Sequence, residues 1–241
     1  MNNEEKNLPL PKKVKQTKHI TIMGQYYRGA ILGKTTKKAK KVIIRKSLSP
    51  FAHNNLQKLM EHSYVGNAYV KAFEKLLHGK YYAYPFVWVG DYAENYMGVS
   101  VYDMACDYIE NATNRNAKKK GYRLVDDNFV KGNMKKSYSE FRECIPYEEV
   151  KDTEYDFIIN FDKKQFVRIP KMSNKKDKYG YPELTIHPLP LLCASGNQQG
   201  GGDYYGTDEQ YVGIWAYDRI GVDNEIPENF TEVVVNFKER Y

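Results

Sequence analysis

The chain has 241 residues, 41% of them hydrophobic, with a net charge of +7. That is enough for one large or two small domains with a core that stands unaided. No apolar run approaches the ~18 residues of a membrane span, and the N-terminus lacks the apolar core of a signal peptide. The three cysteines, Cys106, Cys144 and Cys193, form no CxxC pair. An odd, scattered set speaks against a disulfide framework and a zinc knuckle, and for a reducing compartment. A soluble intracellular protein is expected, with no membrane partner.

Charge is unevenly spread. Residues 1–46 hold 13 Lys/Arg against 2 Asp/Glu, and the last 41 residues hold 9 acids and 3 bases. The segment 1–22 reads as an extended basic arm, and Lys12, Lys13, Lys15 and Lys18 are its contact residues. An acidic partner suits such a cluster, either nucleic acid or a protein surface. Residues 23–241 read as a single α+β domain.

"HITIMGQYYRGAIL" and "KVIIRK" predict a β-hairpin with a basic tip. Between Leu56 and Leu77 the period becomes helical, and Gly66-Asn67 divides two helices, the second ending at Gly79. "YAYPFVWVG" predicts a buried strand and "VSVYDMACDYIENA" a third helix. "NRNAKKKG" reads as a solvated loop. Residues 122–150 are weakly patterned, with one strand expected near Tyr122–Val125. "YDFIINFDKKQFVRI" is a hairpin by its two alternating runs. "LTIHPLPLLCA" carries two prolines, so it is a helix start or an extended segment. "YVGIWAYDRIGV" and "TEVVVNFKE" read as two more strands. The expected fold is an antiparallel or mixed sheet with a few packed helices. Val87–Ala93 and Gly213–Ile220 share Trp-x-x-Asp, so 23–120 and 150–241 are candidate diverged halves of a ββα type.

The stretch "SGNQQGGGDYYG" is the main candidate site. Glycines let backbone approach a ligand closely, and Gly196, Asn197, Gly200, Gly201, Gly202, Tyr204 and Tyr205 are the expected binding residues. Gly200 to Gly202 are expected to serve contact and not folding. The stretch matches neither phosphate-loop pattern. Asp91, Asp203 and Asp218 fall at strand ends or loop starts. Converging, they could hold a divalent metal for phosphodiester chemistry; otherwise no cofactor and no metal are expected. The histidines form no HxH or HxxxH pair and read as packing or capping residues. The tyrosines Tyr26, Tyr27, Tyr81, Tyr82, Tyr84, Tyr204, Tyr205 and Tyr211 lie near basic or glycine-rich segments and suit half-buried sheet, stacking on bases or a protein interface.

Taken together, "MGQYY", "LQKLMEHSYVGN", "VWVGDYA", "NFDKKQFV", "IHPLPLL", "GNQQGGGDYYG" and "VGIWAYDRI" resemble a widespread family of small uncharacterised proteins of bacteria and their phages. Its members begin near MGQYY and carry a GNGxGGGDY loop. The resemblance spans nearly everything after residue 22. It implies relatives and a phage-type setting, and no activity. This chain departs from the pattern with Gln198-Gln199 where relatives have Gly-Arg, and with Ser195 where many have an acid. The leading expectation is a non-catalytic binding or assembly protein with a protein partner or self-association. It would act in a bacterial cytoplasm or on a virion, with nucleic acid a further partner class for the arm. The alternative is a metal-dependent enzyme on nucleotides or phosphodiesters.

Overall fold

The computed structural model describes residues 24–33, 41–53, 55–176, 179–198 and 200–239. The arm lysines Lys12, Lys13, Lys15 and Lys18 lie outside the described residues, as do His19 and the tip of the first hairpin. The fold is α+β.

Strand β3 (Tyr84–Gly90) is the centre of the main sheet. Its run of apolar residues does not alternate with polar ones because both faces are covered. Phe86 and Trp88 point into one core and Val87 and Val89 into another. Strand β1 (Tyr27–Leu32) pairs with β3 antiparallel and divides the same way, Tyr27 and Ile31 on one side and Ala30 and Leu32 on the other. That is the period-2 geometry of a strand. Strand β2 (Ile44–Ser47) completes the first hairpin.

Helices cover the two faces. On the Trp88 side lie α1 (Leu59–His62) and α2 (Ala68–His78). Asn67 starts α2 because its side-chain oxygen accepts from the Tyr69 and Val70 N–H groups, at 2.9 and 3.3 Å. Tyr69, Phe73, Phe86 and Trp88 form a cluster of tilted and edge-to-face rings 5.2–5.8 Å apart. Gly29 makes room for it, since a Cβ there would lie 2.6 Å from the Phe73 ring. On the Val87 side, Val101 and Ala105 of α3 (Val101–Lys119) pack on the sheet.

The other edge of β3 is shared by two strands. β10 (Arg219–Asp223) pairs antiparallel with its start, and β9 (Ala194–Ser195) pairs parallel near its end. Beyond β10 come β7 (Phe157–Asn160), β8 (Gln165–Arg168) and, parallel to β8, β11 (Thr231–Glu232). The hairpin at "FDKK" is therefore present, and so is a helix start after "IH": α4 (Pro188–Leu192) follows the cap His187.

Four expectations need correction. Helix α3 continues to Lys119 through the supposed loop "NRNAKKK". No Gly or Pro interrupts it before Gly121, and Ala112, Thr113 and Ala117 are buried along it. Residues 123–137 hold three strands, not one: β4 (Arg123–Val125), β5 (Asn128–Lys131) and β6 (Met134–Ser137), a separate antiparallel sheet. Its small core is Ala117, Phe129 and Phe141. In "YVGIWAYDRIGV" only the last part is strand, and Trp215 sits in a turn segment. Strand structure in "TEVVVNFKE" stops at Glu232. Trp88 and Trp215 thus occupy different local structures, while one sheet and one core join both halves of the chain.

Both tryptophans are fully buried. Trp88→Ala and Trp215→Ala should each cost roughly 3–5 kcal/mol in urea unfolding. Neither native fluorophore should be quenched by acrylamide. A loss under 1 kcal/mol in either variant would place that ring outside the core.

Candidate functional site

The site lies where β3 and its parallel neighbour β9 both end. Asp91 follows β3 and the glycine-rich loop follows β9. Between them lies Gln25, just before β1, and it is completely buried. Its amide nitrogen faces Tyr27 Oη at 2.9 Å, Asn197 Oδ1 at 3.0 Å and Asp203 Oδ2 at 3.0 Å. Its oxygen accepts from the Tyr92 N–H at 3.2 Å. This orientation satisfies both ends of a buried amide, which would otherwise be costly.

Three glycines surround this side chain. A Cβ on Gly90 would lie 2.6 Å from the end of the Gln25 side chain, at the amide oxygen in this orientation. One on Gly196 would overlap Tyr27 Oη, and one on Gly200 would overlap the Gln25 Cβ. The loop is also tied to the chain around it. Gly201 bridges to Gly24 in parallel, and the Gly202 carbonyl accepts from the Met60 N–H at 3.0 Å. Gly202 has φ +94°, and a Cβ there would lie 2.5 Å from the Lys58 side chain. "GQYY" and "GNQQGGGD" are thus two sides of one packed unit. A Cβ has no room at Gly200 or Gly202, so the fold does use these two glycines, which corrects the expectation that they have no part in folding.

Asp203 closes the loop. Its Oδ2 accepts from the Gly200 N–H at 2.9 Å, and its own N–H donates to the Gly200 carbonyl at 3.1 Å. The residue is buried, and its Oδ1 has no hydrogen-bond partner among the described residues. Burial, with a smaller push from the Asp91 charge, raises its pKa; the bonds from Gly200 and Tyr27 act against that. Burial and then the Asp203 charge drive the Tyr27 phenol far up as well. It stays protonated and donates to Asp203. Asp91 joins the unit through the backbone of Tyr26. Its Oδ1 accepts from the Tyr26 N–H at 3.0 Å, and its N–H donates to the Tyr26 carbonyl at 2.9 Å.

The three sequence-selected aspartates do not all meet. Asp203 senses the charge of Asp91. Asp218, at the start of β10, instead accepts from Asn160 Nδ2 at 2.8 Å and pairs with Lys163. Among the described residues, no three His, Cys, Asp or Glu side chains group as metal ligands. Of the two loop tyrosines, Tyr204 turns inward. Its ring meets Phe237 edge-on at 5.4 Å, and its hydroxyl donates to the Thr207 carbonyl at 2.6 Å. Tyr205 stays exposed, its hydroxyl 3.3 Å from the Gln198 carbonyl. Tyr26 and Tyr92 are exposed as well. Ser195 Oγ lies 3.2 Å from Tyr217 Oη, and Tyr217 stacks on Tyr96 at 4.0 Å.

Gln25 is the residue that sequence reasoning missed. It carries no charge, and its one signal is its place inside "MGQYY". His62 and His187 hold structure. Trp88 Nε1–H donates to His62 Nε2 at 2.7 Å, so Nδ1 carries the proton and donates to the Leu56 carbonyl at 3.2 Å. His187 Nδ1 accepts from the Leu189 N–H, and Nε2–H donates to buried Glu74 at 2.9 Å. No helix among the described residues is long and apolar enough to cross a membrane. Compared with protein-family models, curated proteins and solved structures, the chain finds no match.

Overpacking against Gln25 gives the first test: Gly200→Ala should lose about 1–3 kcal/mol in urea unfolding. An unchanged midpoint would return the glycines to a free loop. A second test uses pH. Burial pushes the His62 pKa down to about 4, so between pH 6.5 and that value only the unfolded chain takes up its proton. Stability therefore falls with pH there, by roughly 3 kcal/mol from this residue, and the ring should stay neutral by NMR at pH 5. Asp203 has the opposite sign. Its raised pKa makes the folded chain the better proton binder, so its ionisation costs stability as pH rises through that value. The wild-type chain should gain on Asp203→Asn as pH falls from 7 towards 4. A pH-independent difference would refute the assignment.

Proposed function

We propose that this chain is a non-catalytic binding or assembly protein, phage-associated, that grips a protein partner or a second copy of itself through the surface around the glycine-rich loop. One observation carries the reading. Tyr26, Tyr92 and Tyr205 are 43%, 40% and 52% exposed, and all three belong to segments locked by the Gln25 unit. Aromatic side chains on backbone that is already ordered lose little entropy on binding. Tyrosine is also enriched at protein interfaces. The basic arm supplies a second contact to an acidic partner, and the bacterial cytoplasm or a virion is the setting. Membership of the MGQYY-type family is part of the same proposal.

The second reading, a metal-dependent enzyme on nucleotides or phosphodiesters, draws on one feature. Asp203 keeps an unbonded oxygen next to Asp91. The first reading accounts for more of the site, because Asp203 Oδ2 already serves Gly200 and Gln25.

The experiment separates them. The triple variant Tyr26→Ser, Tyr92→Ser, Tyr205→Ser should keep its circular dichroism and melting temperature. It should lose the self-association seen by sedimentation, or the partner that co-purifies from the native host. An unchanged assembly state and an unchanged co-purifying set would sink the binding reading. Mn²⁺-dependent phosphodiesterase activity in the wild type, abolished by Asp203→Asn, would install the enzyme.

A further inference from the structure

A second charged surface lies away from the tyrosine site, on the small sheet that follows α3. Residues 118–137 hold seven Lys/Arg and two acids. Folding sorts them by place. Arg123 pairs with Val130, and Val130 with Lys135. Directly opposed residues share a face, so Arg123 and Lys135 stand on the same face, one strand apart on either side of β5. Their backbones are about 10 Å apart, at two strand spacings. The Phe129 face turns to the small core with Ala117 and Phe141, so the Arg123–Lys135 face looks outward.

Lys131 lies at the same end of this sheet. Its Nζ donates to the Lys120 carbonyl at 3.0 Å, which brings the last residues of α3 against that end. Lys118 and Lys119, at the end of α3, are exposed. The two acids, Asp126 and Asp127, form the turn between β4 and β5, at the far end of the strands. Positive charge is thus separated from negative within one small unit.

These cations are also unspent. Elsewhere on the surface several basic side chains are paired: Lys75 with Glu149, Lys151 with Glu148, Arg168 with Glu232, Lys171 with Asp156. Lys118, Lys119, Arg123 and Lys135 have no carboxylate partner among the described residues. Lys136 is the exception in this unit, held by Glu140 at 2.5 Å.

We infer that this basic unit, the end of α3 and the outward face of its sheet, binds the phosphodiester backbone of nucleic acid without regard to sequence, through Lys118, Lys119, Arg123 and Lys135. The composition selects this partner over an acidic protein. Protein interfaces are depleted in lysine and centred on aromatic residues. The outward face here offers Val125, Val130, Asn128 and Ser137 between its cations, and no aromatic ring. Lysine and arginine on flexible stems suit a line of phosphates, which release counterions when neutralised. The inference is independent of the tyrosine surface and of the arm.

The test is fluorescence anisotropy of a labelled duplex of about 20 base pairs, and of one of its strands, across about 50–200 mM salt. The full wild-type chain is compared with Lys118→Gln, Lys119→Gln, Arg123→Gln, Lys135→Gln combined. A control of equal net charge carries Lys75→Gln, Lys151→Gln, Arg168→Gln and Lys171→Gln. The surface variant should bind at least tenfold more weakly at low salt. Its log–log salt slope should be flatter by about three to four, while the control changes little. The double variant Lys119→Gln, Lys135→Gln should flatten it by about two. It replaces two exposed side chains, so it keeps the test open if the fourfold variant misfolds. No binding by the wild type, equal binding by the surface variants, or an equal loss in the control overturns the inference. So does competition by polyglutamate as strong, per charge, as by the duplex.

Discussion

The architecture depends on one strand being buried from every direction. Strand β3 presents Phe86 and Trp88 to one core and Val87 and Val89 to another, and all four are essentially inaccessible. A strand apolar on both faces needs cover on both, so α2 and α3 must lie on opposite sides of the sheet. Its backbone groups must also be paired along both edges. β1 meets that need on one side. On the other, β10 serves the start of the strand and β9 the end. The chain therefore has to bring its last third back against its first third, and the glycine-rich loop arrives beside the first hairpin as a consequence.

What the loop meets there is polar. Gln25, Tyr27 and Asp203 form a buried network, joined by exposed Asn197, with almost every buried group satisfied. Such networks give specificity more than net stability, because any partner removed leaves another unpaired. The glycines are the steric condition for it. Backbone at Gly90, Gly196 and Gly200 comes so close to Gln25 or Tyr27 that no side chain fits between. A second polar contact works in the same core that holds Tyr27, where Trp88 donates to His62 and the imidazole stays neutral deep in the aromatic cluster. Both devices stiffen the segments that carry Tyr26, Tyr92 and Tyr205. The surface proposed for partner binding thus rests on buried chemistry that a contact list of exposed residues would not reveal.

The small sheet of residues 123–137 follows a different logic. It has three buried core residues of its own, Ala117, Phe129 and Phe141, and leans on the end of α3. With little apolar area to bury, its outward face is free to carry charge.

Much of the main fold was legible in local pattern. The period of 3.6 around α2, the N-cap at Asn67, the stop at Gly79, the alternation of the β7–β8 hairpin and the unbroken apolar run of β3 all have short-range causes. So does the helix after His187, where proline at the first turn costs no hydrogen bond. The element that local pattern hid was β4–β6, whose strands of three or four residues expose most of their side chains and so carry almost no periodic signal. Trp215 was hidden for the converse reason. An apolar run looks like a strand, but its burial here comes from turns packed under the sheet. The sequence on its own marked "GNQQGGGD" and "MGQYY" as unusual and Asp91 and Asp203 as candidates. Only tertiary structure could decide that these lie together, that Gln25 stands at their centre, and that Asp218 belongs elsewhere. Those contacts join residues far apart in the chain, and nothing in a residue's neighbours along the sequence encodes which distant backbone will press against it.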